Sequence, residues 1–268
     1  MKKSLALSRA EREQYDRDGF VVREGVLDEP ELVELREACE TLCDRLVAHS
    51  RDDRKFDVSQ FYVFESDAPL NVMIKWEPSD RQVIQGVEPL AHLDPTLERY
   101  GLHPALAEPA RELLDVDEVA LYTEKLNVKR RGVGGAYALH RDLPYWLPDA
   151  DDAHHMITAL LALDDATAEN GALEVLPGSH LIEDPPFKES ELEFERNELD
   201  PERMDTSAMI AVEMAWGSAV FFGPMLIHRS SPNRSSTDRR ALLYTYQRAG
   251  QRDQRDVNRE WFEKYGSL

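Results

Sequence analysis

The sequence predicts an α+β fold: a double-stranded β-helix, the jelly-roll barrel of cupin-like proteins, with N-terminal and flanking helices. Helical patterns come first along the chain, and short strand patterns separated by Gly, Pro and Asn follow them. Its 268 residues are enough for one large core. We therefore expect one domain over residues 1–268, with a mainly helical part at 1–118, a barrel core at 119–250, an excursion within it at 181–208, and a tail at 251–268.

Composition narrows the classes of partner. The chain has 32 Lys and Arg against 52 Asp and Glu, a net charge of −20. Nucleic acids and anionic membranes need a basic protein face, so we expect neither as a partner. The apolar run within Met1–Leu7 is too short for the hydrophobic core of a signal peptide. No long apolar run elsewhere predicts a membrane span.

The two cysteines, Cys39 and Cys43, lie four residues apart on a predicted helix. A zinc pair is one interpretation, but no nearby His or Cys completes four ligands, and we expect core packing. Nothing else offers a disulfide framework, so the sequence favours a reducing, cytoplasmic location.

The N-terminal part contains two helix starts. Ser8-x-x-Glu11 is a capping box that predicts a helix to about Asp18, ended by Gly19. A short strand, 20–22, follows. Asp28 then caps a long amphipathic helix with Pro30 in its first turn, ending near His49. We expect residues 50–55 to form a loop.

The stretch from 56 to 76 is rich in aromatic residues and contains Lys75. It either lines a pocket or forms half-buried strands on the core. A helix is predicted over 103–114, a lid-like excursion over 183–205, and a short helix over 257–265. The aromatic residues are Phe56, Phe61, Tyr62, Phe64 and Trp76, and the later strands are predicted at 119–128, 135–142, 156–163, 172–176, 209–214, 218–222 and 241–246.

A His-x-Asp pattern, His140 and Asp142, lies at the end of one predicted strand. Residues i and i+2 of a strand point to the same face, so both side chains are expected on one side. They are two of the three ligands of a 2-His-1-carboxylate triad, which binds Fe(II) and leaves open positions. The His-x-Asp pattern alone is better explained by a His–Asp pair on a surface strand. His228, followed by Ser230 and Arg239, favours the metal site.

Other interpretations of single residues remain. His228 alone is more typical of a core histidine, and Arg239 alone of a solvated side chain. His154, His155 and His180 are further possible ligands, but their acidic or turn surroundings favour exposed positions.

Several segments in order resemble the phytanoyl-CoA dioxygenase family of Fe(II)/2-oxoglutarate oxygenases. They are Tyr15–Val22, Leu126–Lys129 leading into His140-Arg-Asp142, Leu161–His180 with its Asn-Gly and Pro-Gly-Ser-His turns, and Trp216–Arg239. The resemblance is weakest over 50–115 and 181–208, where we expect substrate specificity to lie.

The resemblance implies that His140, Asp142 and His228 hold Fe(II). Oxygen and 2-oxoglutarate would be cosubstrates. The 2-oxoglutarate would be converted to succinate and CO2, and a C–H bond of the primary substrate to an alcohol. Family members that halogenate have Gly or Ala in place of the carboxylate ligand, so Asp142 disfavours halogenation.

For the cosubstrate, the resemblance implies that Arg239, eleven residues after His228, pairs with the far carboxylate of 2-oxoglutarate. Ser230 would add a hydroxyl donor, and Asn127 and Thr123 would contact the cosubstrate from a neighbouring strand. Arg240 is the rival to Arg239, but strand alternation sends it to the other face.

Arg141, Tyr145, Trp146 and Lys75 either contact the primary substrate or pack in the wall. Lys129-Arg130-Arg131 is expected to be a solvated turn, or to attract an anion to the pocket mouth. The leading hypothesis is an Fe(II)/2-oxoglutarate-dependent hydroxylase of a small organic molecule, a biosynthetic intermediate. Desaturation, epoxidation or cyclisation at the same iron, or a non-catalytic metal-binding barrel, are the alternatives.

Overall fold

The computed structural model describes residues 4–59, 62–192 and 194–265. Phe61 and the segment Met1–Lys3 lie outside them. The helices are α1 (Arg9–Asp18), α2 (Glu29–His49), α3 (Pro95–Gly101), α4 (Pro104–Leu114), α5 (Leu143–Trp146) and α6 (Gln254–Tyr265). The strands are β1 (Phe20–Arg23), β2 (Lys55–Ser59), β3 (Tyr62–Asp67), β4 (Val72–Glu77), β5 (Asp80–Glu88), β6 (Val119–Lys129), β7 (Tyr137–His140), β8 (Ile157–Ala162), β9 (Leu173–Val175), β10 (Ile210–Ala211), β11 (Ala219–Phe222), β12 (His228–Ser230) and β13 (Arg239–Arg248).

Both N-terminal helices begin and end where their local chemistry indicates. In α1 the Ser8 and Glu11 side chains cap each other's backbone N–H groups, and Gly19 ends the helix with φ +83°. In α2 Asp28 and Glu31 form the same box. The apolar face of α2 is buried, and Cys39 and Cys43 are free thiols within it, which confirms that they pack in the core.

Two antiparallel sheets form a jelly roll, as the sequence predicts. The large sheet has the order β1-β11-β8-β13-β6-β5-β4-β3-β2, and the small one β10-β9-β12-β7. One apolar cluster joins the sheets through residues such as Leu160, Leu173 and Phe222, and another packs α2, α3 and α4 against the large sheet. Across residues 4–59, 62–192 and 194–265, no hydrogen-bonded strand pair closes the two sheets into one barrel.

Residues 55–88 form four strands that extend the large sheet at one edge, and strands on the core are one of the two structures that the sequence predicts for 56–76. The part at 1–118 is therefore more mixed than the helical signals indicated, and the predicted loop at 50–55 contains a 3-10 turn, Asp52–Arg54, before β2. All six residues of β3 are buried, including the polar Glu65, Ser66 and Asp67. Burial of polar side chains removes the alternation by which a strand is recognised in a sequence.

In the Lys129-Arg130-Arg131 segment only Arg131 is exposed in a turn, as the sequence predicts, whereas Lys129 and Arg130 bind protein groups. Lys129 is fully buried and donates to the carbonyl oxygens of Gly135 and Ser231, each at 2.6 Å. Arg130 pairs with Glu40. An ammonium that two carbonyl groups satisfy can be buried, and here it ties β6 to the loop after β12.

The excursion at 181–208 contains little regular structure beyond a 3-10 turn, Phe194–Asn197. It is joined to the small sheet by a hydrogen bond from the Leu199 N–H to the Leu139 carbonyl, at 2.7 Å. Within the described ranges, no helix is both long and apolar enough to cross a membrane.

Candidate metal centre and cavity

Three side chains, His140, Asp142 and His228, converge on one point. Each offers one ligand atom, and these atoms lie within 4.8 Å of one another. The Asp142 Oδ1 is 3.7 Å from the His140 Nε2 and 3.8 Å from the His228 Nε2. Two imidazoles and one carboxylate at this spacing are the donor set of a 2-His-1-carboxylate iron site.

The β-strand pairing brings the two histidines together. β12 pairs with β7 so that His228 lies opposite His140. The Nδ1 of His140 lies 2.7 Å from the Ala138 carbonyl oxygen, and the Nδ1 of His228 lies 2.9 Å from that of Leu226. A carbonyl oxygen only accepts, so each Nδ1 carries the hydrogen. Each Nε2 lone pair is therefore free to bind a metal.

Asp142 reaches the same point by a different route from the one that strand alternation predicts. β7 ends at His140, and Asp142 has helical dihedrals, φ −72° and ψ −30°, at the start of α5. Pro144 lies in the first turn of that helix, a position that proline favours. The proximity of the carboxylate to His140 was predicted correctly, but its cause is a strand-to-helix turn.

Burial adjusts the protonation of the site. It lowers the pKa of His140 well below its ordinary value, and the neighbouring His228 lowers this pKa further. The two rings are close, with centroids 4.2 Å apart. A neutral imidazole is the form that binds a metal ion.

Arg239 lines the cavity beside the triad and is 3% exposed. Its Nε is buried without a hydrogen-bond partner among the described residues. Burial lowers the pKa of this guanidinium to about 10. Arg240 points the other way, as alternation predicts, and pairs with Asp164 at 2.7 Å and Glu40 at 2.8 Å. Arg239 is thus a buried cation that is suited to an anionic ligand.

The other predicted cosubstrate residues divide into two groups. Ser230 and Asn127 line the cavity with Arg239, and the Asn127 Oδ1 accepts a hydrogen bond from the Tyr137 hydroxyl at 3.1 Å. Thr123 is buried, does not line the cavity, and donates to the Glu88 carboxylate at 3.1 Å. Among the described residues, Thr123 therefore contacts a residue of the cavity lining, Glu88, without lining the cavity itself.

Three of the four predicted substrate contacts line the cavity: Tyr145, Trp146 and Lys75. Arg141 does not, because its guanidinium turns to the excursion and donates to the Ile182 carbonyl at 2.8 Å. The remaining candidate histidines are absent from the triad and from the cavity lining. His154 and His155 are exposed and His180 is half-buried.

The cavity has a volume of about 250 Å³, and several of its lining residues were not indicated by any sequence pattern. Phe194, from the excursion, contacts the rings of Phe64 and Tyr145 with centroids 5.4 Å away in each case. The others come from distant segments, so no local pattern connects them. They are Glu88 and Lys125, from neighbouring strands, and Gln254 and Asn258, one turn apart on α6.

Comparison with known proteins gives a consistent result. The sequence model of the family described as phytanoyl-CoA dioxygenase (PhyH) matches residues 15–241. The L-proline trans-4-hydroxylase of Streptomyces griseoviridis is 28% identical over 252 residues, 88% of this chain and 84% of the relative. The methylphosphonate hydroxylase of Gimesia maris is 36% identical over 137 residues, 51% of this chain and 48% of the relative.

Among solved structures, EctD from S. alaskensis with 2-oxoglutarate and 5-hydroxyectoine is similar in fold. The TM-score is 0.68 at 22% identity, and the match covers 90% of this chain and 76% of that chain. At this identity the similarity shows a shared fold.

Proposed function

The chain belongs to the phytanoyl-CoA dioxygenase family of Fe(II)/2-oxoglutarate-dependent dioxygenases, and from that premise we propose that it hydroxylates an unactivated C–H bond of a small organic molecule. The substrate is a biosynthetic intermediate rather than a long acyl thioester. A cavity of about 250 Å³ must also admit the cosubstrate, which supports a small primary substrate.

In this proposal His140, Asp142 and His228 bind the iron. The donor set fits Fe(II), because both Nε2 atoms are free acceptors and the carboxylate lies within 4 Å of each. When bound, iron supplies the activation of oxygen that couples oxidative decarboxylation of 2-oxoglutarate to oxidation of the substrate. The chain contributes the fixed orientation of both rings, through the Ala138 and Leu226 carbonyl groups.

Arg239 binds the far carboxylate of 2-oxoglutarate, with Ser230 donating a hydroxyl hydrogen to the same group. The unpartnered Nε of Arg239 supports this role, because a buried guanidinium is stabilised when a carboxylate accepts its hydrogens. Asn127 lies on the neighbouring strand β6, held by the Tyr137 hydroxyl, and orients the cosubstrate from the side.

Aromatic side chains exclude water from the reacting C–H bond. Tyr145 contacts the His140 ring edge-to-face at 5.9 Å, and Phe194 covers Tyr145 from the excursion. Both line the cavity next to the metal ligands. A dry site limits turnover of the cosubstrate in the absence of substrate.

The main support for this proposal is that the ligand atoms of His140, Asp142 and His228 converge on one point. Its test is succinate formation by purified protein supplied with Fe(II), 2-oxoglutarate and oxygen, screened against a pool of small metabolites. We expect slow background succinate release and stimulation by the substrate, both lost in Asp142→Ala. Bound iron without succinate from any candidate would favour a non-catalytic metal-binding protein. The oxidised product separates hydroxylation from desaturation, epoxidation or cyclisation.

A further inference from the structure

One end of the cavity carries charged side chains that have no part in the proposed binding of iron or 2-oxoglutarate. Lys75, Glu88 and Lys125 come from β4, β5 and β6, which are neighbours in the large sheet. Gln254 and Asn258 of α6 line the same cavity, and their side-chain amides are joined by a 3.0 Å hydrogen bond. The arrangement places two lysine amines and one carboxylate in a single cavity.

This charged group is separate from the Arg239 end of the cavity. The charges that shift the pKa of Lys75 are those of Lys125, Glu88 and Asp142, whereas Arg239 shifts the pKa of Lys129. The Tyr137 ring, which also lines the cavity, lies 5.9 Å from the Lys75 Nζ and 5.4 Å from the Lys129 Nζ. The cavity thus presents two distinct cationic positions.

The two lysines of this end differ in their partners. The Lys125 Nζ pairs with the Glu88 carboxylate at 2.8 Å. Burial acts to lower the pKa of Lys125, but Glu88 raises it above the ordinary value. Glu88 also accepts a hydrogen bond from Thr123, so both of its oxygens have donors.

Lys75 has no comparable partner. Within the described ranges, no hydrogen bond or ion pair joins its Nζ to a protein group, and the atom lies 5.4 Å from the Phe64 ring and 5.9 Å from that of Tyr62. Burial, and then the charge of Lys125, lower the pKa of Lys75 to about 7. Lys75 is half-buried in the cavity wall. An ammonium held there without an anion is costly, and a ligand that supplies one relieves that cost.

We propose that Lys75 binds a carboxylate or phosphonate group of the primary substrate, so that the enzyme acts on small anionic or zwitterionic molecules. This inference rests on the proposed function, since it assigns the substrate class of the same cavity. When Lys75 is protonated, two ammonium groups and one carboxylate leave one positive charge at this end, which one oxyanion neutralises. The Gln254 and Asn258 amides provide further hydrogen-bonding groups in the same cavity.

Binding without turnover tests the inference. The holoenzyme with Fe(II) and saturating 2-oxoglutarate is kept free of oxygen, and the ferrous ion broadens the NMR signals of any molecule bound beside it. The probes are acetate and methylphosphonate, whose separate signals distinguish a carboxylate site from a phosphonate site. Acetamide is the uncharged counterpart of acetate.

The variants are Lys75→Met, which removes the charge at similar length, and Lys75→Arg, which keeps it. Lys55→Met is the matched control, because the Lys55 Nζ also lies over an aromatic ring, 4.0 Å from Trp76, but outside the cavity. We expect at least one oxyanion to bind the wild-type, Lys55→Met and Lys75→Arg proteins. Its affinity for Lys75→Met should be lower by about tenfold or more. Acetamide should not bind.

Three results would overturn the inference. They are equal binding of the oxyanions by Lys75→Met, no binding of either oxyanion by the wild-type holoenzyme, and loss of 2-oxoglutarate binding in Lys75→Met, which would place Lys75 in the cosubstrate site. None of these depends on catalysis. The succinate assay therefore reports failure of the proposed function separately.

Discussion

His140 and His228 face each other across the β7–β12 pair, with ring centroids 4.2 Å apart and each Nδ1 at a carbonyl oxygen of its own chain segment. This relationship directs both Nε2 atoms at Asp142. The triad therefore depends on the register between β7 and β12. If one strand shifted by one residue relative to the other, one of the rings would turn to the opposite face of the sheet.

Replacement of a single ligand should therefore remove the metal while the fold persists. We expect His228→Ala to bind Fe(II) at least about 100-fold more weakly, because two remaining ligands cannot retain it against water. Metal analysis after dialysis measures the loss, and circular dichroism reports the fold. His155→Ala is the control, since that histidine is exposed and lies beside Asp152. A stoichiometric iron content in His228→Ala would contradict the assignment.

Arg239→Met should have opposite effects on two measurements. It removes a buried cation with an unpartnered Nε, so the ligand-free protein should become more stable, by about 1 kcal/mol. Affinity for 2-oxoglutarate should fall by about tenfold or more. Calorimetric titration and thermal unfolding measure the two.

Arg240→Met is the control for Arg239→Met. Arg240 forms ion pairs with Asp164 and Glu40, so its loss should lower stability and leave 2-oxoglutarate affinity unchanged. If Arg240→Met weakens cosubstrate binding and Arg239→Met does not, the two roles are reversed.

Phe194→Ala should uncouple the reaction. The ring closes the cavity against Tyr62, Phe64 and Tyr145, so its removal admits water to the site. We expect more succinate per molecule of oxidised product, measured by quantifying both. Leu192→Ala, in the same excursion but 46% exposed and outside the cavity, should leave the ratio unchanged. An unaltered ratio in Phe194→Ala would show that the excursion does not seal the site.

Lys75 should make stability depend on pH. Burial holds its pKa at about 7 in the folded protein, against an ordinary value of 10.5 in the unfolded chain. Between these values the unfolded chain binds more protons, so this lysine makes stability rise as the pH rises. Lys75→Met should therefore stabilise the ligand-free protein most near pH 7, and the difference should shrink toward about pH 9.5. Urea unfolding at both values measures it, and a difference that grows with pH would contradict the burial of the charge.

Local chemistry in the sequence was sufficient for much of the fold. The capping boxes at Ser8 and Asp28 depend on residues three positions apart, and the alternation that separates Arg239 from Arg240 depends on neighbours. The resemblance supplied the pairing of His140 with His228, which are 88 residues apart.

The features that sequence patterns did not indicate depend on contacts between distant segments. Lys129 is buried because the Ser231 carbonyl, 102 residues away, accepts from it. Asp142 leaves the strand because α5 begins beside it. Glu88 and Lys125 each resemble an exposed strand residue, and only the pairing of β5 with β6 brings them into one cavity.

The cavity is assembled from parts of the chain with different origins. The proposed iron ligands belong to the small sheet and the turn after β7, whereas Lys75, Glu88 and the α6 amides belong to an edge extension and to the helix α6. The Asn71 side chain, in the turn between β3 and β4, donates to the Arg255 carbonyl of α6 at 3.0 Å and so couples these two outer pieces. We therefore expect the β3–β4 turn and α6 to tolerate replacement only as a pair, because this hydrogen bond is lost when either segment is changed alone.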